Sequence, residues 1–142
     1  MELAALLSAK GGGVEVIEPS ATAATCAARL SQARIGALVV VQDSELVGII
    51  SERDLVEALA TFGVAALELP VAKLMTTEVV TRGLTTKVDD LMALMTERRI
   101  RHVPVLEEGR LVGIVSIGDV VKSRIAELEH DRQNLLDYVG AR

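Results

Sequence analysis

Leu46-Val47-Gly48-Ile49-Ile50-Ser51-Glu52-Arg53-Asp54 returns 65 residues later as Leu111-Val112-Gly113-Ile114-Val115-Ser116-Ile117-Gly118-Asp119. At the same offset Ile35-Gly36-Ala37-Leu38-Val39-Val40-Val41 falls on Ile100-Arg101-His102-Val103-Pro104-Val105-Leu106, and Val56 falls on Val121, without a gap. Several matches in one register mean a duplicated unit, and a repeat has to be found before a fold is assigned.

Outward from these strings, each copy reads alike. Ala37–Val41 and Leu46–Ile50 flank Gln42-Asp43-Ser44-Glu45, and Val103–Leu106 and Leu111–Val115 flank Glu107-Glu108-Gly109-Arg110. β-Branched runs joined by short polar linkers are hairpins. Upstream of each hairpin, apolar residues recur at i, i+3, i+4 and i+7, which is one face of a helix. They are Ala23, Cys26, Ala27 and Leu30 in the first copy, and Val88, Leu91, Met92 and Met95 in the second. Thr86 and Asp89 have the spacing of a capping box. A short strand, Val14–Ile17 or Val79–Thr81, precedes each helix, and a second helix starts near Asp54 or Asp119.

The expected fold class is therefore α/β (α+β): two β-α-β-β-α repeats related by a pseudo-twofold axis, with a long C-terminal helix. The expected boundaries are 8–69 for the first repeat, 70–77 for a linker, 78–126 for the second repeat and 127–142 for a helical extension. A unit of about 60 residues is marginal alone, so the two should bury a shared face. Val121, Ile125, Leu128, Leu135 and Val139 make a stripe along the final helix, from Val120 to Val139, with Gly140 as its expected C-cap. That stripe serves either the helix's own domain or a dimer contact.

Composition narrows the function. The 142 residues carry a net charge of −5, which argues against a protein that coats nucleic acid or an anionic membrane. Phe62 and Tyr138 are the only aromatics, so bases would not be held on aromatic platforms. Cys26 is the only cysteine, which excludes an internal disulfide, fits a reducing cytoplasm and is too little for a thiolate zinc site. Its place in the apolar stripe makes it a core residue. No apolar run approaches the ~20 residues of a membrane span, and Met1 to Leu7 is too short for a secretory signal.

The strings themselves carry the chemistry. Each runs glycine, two aliphatics, serine, two variable residues and aspartate, leading from a strand into a helix. The glycine admits close approach to the backbone. The serine hydroxyl and helix N-terminal N–H groups suit an anion such as phosphate. The carboxylate accepts two hydrogen bonds, which suits the paired hydroxyls of a ribose. Ser and Asp are also ordinary N-cap residues.

The two strings, together with Ile100-Arg101-His102-Val103-Pro104-Val105 and Leu74-Met75-Thr76 ahead of the second copy, make the chain resemble a pair of cystathionine-β-synthase (CBS) domains, the Bateman module. The resemblance runs from about Val14 to Val121. It implies a non-catalytic sensor of an adenosine ligand (AMP, ADP, ATP, NAD(H) or S-adenosylmethionine), bound in clefts between the paired domains with no metal required. It implies Ser116 at the phosphate, Asp119 at the ribose, and Val79, Val80, Val103, Pro104 and Ile114 around the adenine. It also implies a homodimer and a regulated partner protein whose identity stays open.

The copies differ where a basic pair would meet phosphates. Arg101-His102 of the second becomes Gly36-Ala37 in the first, which also carries Glu52. The main site is therefore expected at Ser116 and Asp119 with Arg101 and His102, and with Arg53 reaching across the axis. Arginine's planar fork suits phosphate. A weaker site is expected at Ile35, Ala37, Ile49, Ser51 and Asp54. Lys10-Gly11-Gly12-Gly13 is not a phosphate loop, since no Gly-Lys-Ser/Thr follows, and no Gly-x-Gly-x-x-Gly occurs. His102 and His130 with one cysteine make a poor metal set. CBS pairs also occur inside inosine-monophosphate dehydrogenases, whose ~250-residue barrel has no room here. The main alternative to a sensor is a protein-interaction or nucleic-acid scaffold that takes no nucleotide.

Overall fold

The computed structural model describes residues 1–140; the last two residues of the expected extension lie outside it. The order is α1 (Leu3–Lys10), β1 (Val16–Ile17), α2 (Ala23–Ala33), β2 (Ala37–Gln42), β3 (Glu45–Ser51), α3 (Glu52–Phe62), a 3-10 turn (Gly63–Glu68), α4 (Val71–Leu74), α5 (Val88–Arg98), β4 (His102–Glu107), β5 (Arg110–Ser116) and α6 (Ile117–Gly140).

The duplication extends to backbone detail. In both hairpins the expected four-residue linker tightens to a two-residue turn. Asp43 and Ser44 have φ of 51° and 66°, and Glu108 and Gly109 have 50° and 79°. Positive φ at both central residues matches the twist of the flanking strands. Each hairpin has a register shift at the same place, between Val40 and Val41 and between Val105 and Leu106. The shift leaves Val47 and Val112 without a partner, as in a β-bulge. Both first helices end on an arginine in the left-handed region, Arg34 and Arg99, each with φ of 55°.

Two cores result. Ile17, Cys26, Leu30, Leu38, Val40, Ile50 and Val71 fill the first unit. Val88, Leu91, Met95, Val103, Val105, Val115 and Val120 fill the second. The stripes at helical spacing point inward in both, Cys26 included, and burial pushes its thiol up to about 11 against the opposing pull of Arg29, with Asp54 adding to the rise.

The copies diverge at their edges. Strand β1 pairs in parallel with β2 through Val16–Val39 and Ile17–Val40. The expected strand Val79–Thr81 does not form; its place is taken by a single parallel bridge, Arg82 to Val105. Glycine follows at once at Gly83, and the preceding residues are drawn towards the first unit through Thr76. Nor does the Thr86–Asp89 capping box form. Helix α5 starts one residue later, with Lys87 as N-cap and no side-chain cap. The carbonyl of Met1 accepts the Val88 N–H at 2.9 Å instead.

Helix α1 was not expected from the sequence, and it explains that replacement. The Leu3 N–H donates to the Thr86 carbonyl (2.8 Å) and the Ala4 N–H to that of Leu84 (3.1 Å). Leu3 and Leu6 are buried in the second unit's core, so the start of the chain completes the far repeat. Helix α4 does the same for the first unit, since Pro70 bridges Thr22 as Glu2 bridges Lys87. The C-terminal helix spans the expected residues, but Gly140 is still helical rather than a cap. Val121, Ile125, Leu128, Leu135 and Val139 are all exposed, so this stripe is not covered by its own domain.

Candidate functional site

Both Ser–Asp strings form reciprocal caps. The Asp54 N–H donates to Ser51 Oγ (3.3 Å), while the Ser51 N–H and hydroxyl donate to Asp54 Oδ2 (2.9 and 3.2 Å). In the second copy the Asp119 N–H donates to Ser116 Oγ (3.1 Å) and the Ser116 N–H to Asp119 Oδ2 (2.9 Å). The aspartates thus start helices α3 and α6, and each begins this work with one oxygen.

Beside Ser51 and Asp54 lies an open cleft of about 900 Å³ between the units. Its floor is the first string. One wall is apolar, from Ile49, Val79 and Val80; another is basic, from Arg99, Arg101 and His102; Glu52, Glu57 and Glu78 also face it. Local structure explains the arrangement. Ile49 and Thr76 exchange both backbone hydrogen bonds (3.0 and 2.8 Å), which ties Thr76 to β3 and brings Glu78, Val79 and Val80 to the cleft. Gly48 permits this, because a Cβ there would lie 2.6 Å from Met75 Sδ and 3.0 Å from the Thr76 carbonyl. On the opposite side, the left-handed Arg99 ends α5 abruptly and turns Ile100, Arg101 and His102 past the first unit. His102 reaches within 3.0 Å of where a Cβ on Gly36 would sit, so the Gly36-Ala37 difference between copies makes room for it.

Burial holds the His102 imidazole below its ordinary 6.5; the Glu52 carboxylate pulls it up, Lys10 and Arg101 push it down, and Asp119 raises it. Burial alone would raise Asp119, but the bonds from Lys10 and Ser116 outweigh that and hold it below 3.8.

The structure groups the expected site residues differently from the sequence. Arg101 and His102 share the cleft with Ser51 and Asp54, together with Ile49 and Val80. Arg53 does not reach across the axis; it stays on the same cleft and pairs with Glu57 on its own helix at 3.3 Å. Val103 and Ala37 are sealed in the core, and Pro104 is buried. Ile35 lies on a neighbouring groove between α2 and α3.

Ser116, Asp119 and Ile114 stand together, but around Lys10, which the sequence pattern does not mark as a site residue. The Lys10 ammonium lies 2.7 Å from Asp119 Oδ2 and donates to the Ile114 carbonyl at 2.8 Å. Thr76, Arg99 and Glu78 were likewise not expected in the cleft. A signal for Lys10 existed: Leu6-Leu7-Ser8 falls on Leu74-Met75-Thr76, but at an offset of 68, which the 65-residue register hides.

Among the described residues no group of three or more His, Cys, Asp and Glu is arranged to hold a metal, and no helix is long and apolar enough to cross a membrane.

A family model of the CBS domain matches the chain twice, over residues 13–61 and 71–126. The chain is 40% identical over 115 residues to a mitochondrial CBS domain-containing protein of Arabidopsis thaliana, a match that covers 78% of this chain and 56% of that one. It therefore spans little more than half the length of that relative. The crystal structure of a CBS-domain protein from Agrobacterium tumefaciens superposes with a TM-score of 0.85 at 45% identity, covering 87% of this chain and 99% of the other. The CBS domain pair of protein MJ0100, solved in complex with 5′-methylthioadenosine and S-adenosyl-L-methionine, superposes at 0.80 with 25% identity, covering 89% and 98%.

Proposed function

The chain belongs to the CBS-domain family as a tandem pair, and we propose that it is a non-catalytic sensor that binds one adenine nucleotide, AMP first among them, in the Asp54 cleft. One observation carries this reading. A ribose-compatible carboxylate, an apolar slot and a basic cluster meet in a single space of about 900 Å³, ample for a mononucleotide. In this assignment Asp54 takes the ribose hydroxyls, Val79, Val80 and Ile49 hold the adenine between aliphatic walls, and Ser51, Arg101 and His102 meet the phosphate. The adenosine ligands in the MJ0100 pair support the ligand class. The basic residues Arg99, Arg101 and His102 line this cleft and favour it over the second string, whose aspartate already pairs with Lys10.

The ligand bridges the first unit and the Arg99–His102 turn of the second. Binding therefore favours one arrangement of the two units, which is what a sensor needs in order to change its affinity for a partner protein. The exposed stripe of α6 supports a homodimer through that helix.

Calorimetric titration of the nucleotide-stripped protein with AMP, ATP, NADH and S-adenosylmethionine tests the reading. Saturable binding of at least one of them near one per chain is expected. No binding by any of the four would leave an interaction scaffold as the better account.

A further inference from the structure

The two Ser–Asp strings make the same reciprocal cap, yet among the described residues only one of the two aspartates forms an ion pair. In the first unit the Ile49 carbonyl accepts the Thr76 N–H at 2.8 Å, and among the described residues Asp54 has no ion pair. In the second unit the equivalent carbonyl, that of Ile114, accepts the Lys10 ammonium at 2.8 Å, and the same ammonium sits 2.7 Å from Asp119 Oδ2. One side chain thus replaces a backbone bond and neutralises the carboxylate at once.

The cause is where the chain turns. Leu7 covers Gly113 as Met75 covers Gly48, each closer than a Cβ would allow. Beyond Met75 the chain bridges Ile49 through Thr76, bends at Thr77 and Glu78, and leaves a cleft lined by Val79 and Val80. Beyond Leu7 the helix continues to Lys10 and stops at Gly11, whose φ is 66°. Gly11 and Gly12 (φ 72°) then carry the chain back to the first unit. The offset between the copies grows here from 65 to 68, so a three-residue excess separates the Lys10 arrangement from the open one.

We propose that Lys10 is a built-in occupant of the second cleft: anchored on the Ile114 carbonyl, its ammonium takes the Asp119 carboxylate that a ligand's ribose would use, so the chain carries one nucleotide and not two. The proposal rests on the reading of the strings as adenosine sites. Helix α1 is anchored by buried Leu3 and Leu6, so the plug is part of the fold and not a loose tail.

The test counts AMP per chain by calorimetry in the full chain and in Lys10→Met, which keeps the apolar stem and removes the charge. Thermal unfolding confirms that both are folded. Lys10→Met is expected to take up one AMP more than the parent, at lower affinity than the Asp54 site because Arg99, Arg101 and His102 line that cleft. Lys10→Met combined with Asp119→Asn should return to the parent count. An unchanged count in Lys10→Met overturns the proposal, as does a parent chain that already fills two sites. A parent that binds none while Lys10→Met binds one supports the plug and instead removes the Asp54 assignment, so the two readings fail separately.

Discussion

Asp54→Ala and Asp119→Ala should cost similar stability and very different affinity. Each substitution deletes a reciprocal helix cap: Ser51 loses its 2.9 Å acceptor in one, and Ser116 its 2.9 Å acceptor in the other. A lost cap costs about 1 kcal/mol, which lowers the midpoint of a chain this size by roughly 2–4 °C. Asp119→Ala also breaks the pair with Lys10, whose side chains are 36% and 24% exposed, and solvent screening keeps that addition below about 1 kcal/mol. Asp119→Ala is therefore the equally or more destabilised of the two. Affinity should run the other way. A hydrogen bond to a charged acceptor contributes about 1.5–3 kcal/mol. Loss of a carboxylate shared by two ribose hydroxyls, partly compensated by water in an open cleft, should cost about 2–4 kcal/mol, or about 30- to 1000-fold in Kd. Calorimetry with AMP should show that loss in Asp54→Ala and a change within about threefold in Asp119→Ala, while thermal melts without ligand rank the stabilities in the opposite order. Equal affinity losses in the two variants, or a loss confined to Asp119→Ala, would refute the assignment of the cleft.

Further expectations follow from the same geometry. Arg101→Gln should weaken AMP by about tenfold or more but leave adenosine nearly unchanged, because it removes a charge-assisted contact to phosphate only; competition titrations measure both. His102 is half-buried with its folded pKa below 6.5, so between the folded value and 6.5 the unfolded chain binds the extra proton. Stability should then fall as pH drops through 6.5 towards the folded value. Urea midpoints from about pH 7.5 to 5 should show a shallower decline in His102→Gln, and matching slopes would remove this role for the imidazole. Ile125→Glu places a charge in the exposed α6 stripe and should convert a dimer to a monomer in sedimentation equilibrium; a parent chain that sediments as a monomer would contradict the homodimer. Cys26, buried and held near 11, should resist a thiol reagent in the native protein and react fully in urea.

The parts legible in the sequence are those set by local pattern. The repeat, both hairpins, the inward stripes of α2 and α5 and the run of α6 each follow from the period of apolar residues or from turn chemistry. The less legible parts depend on contacts distant in sequence. Helix α1 has apolar residues on every side and no distinct face, so its role becomes visible only when Leu3 and Leu6 meet a core some 80 residues away. The Thr86 capping box had the right residues and lost to a backbone carbonyl from Met1 that no local rule could supply. Val79–Thr81 had strand composition, but the Ile49–Thr76 pairing draws the segment to the other unit. The site shows the same division. Ser51, Asp54, Ser116 and Asp119 were readable as two equal strings. The partners of each were not, because the pseudo-twofold axis sends Arg101 and His102 to the opposite string and the N-terminal helix sends Lys10 to Asp119.

Amide chemical-shift mapping of the labelled protein against AMP tests the central claim most directly, since it reports the site without any substitution. The largest shifts are expected at Ser51 to Asp54, at Thr76 to Val80 and at Arg101 and His102, with Lys10 and Asp119 little changed. Shifts centred on Lys10, Ile114 and Asp119, with the Asp54 string unmoved, would contradict the assignment of the nucleotide to the Asp54 cleft.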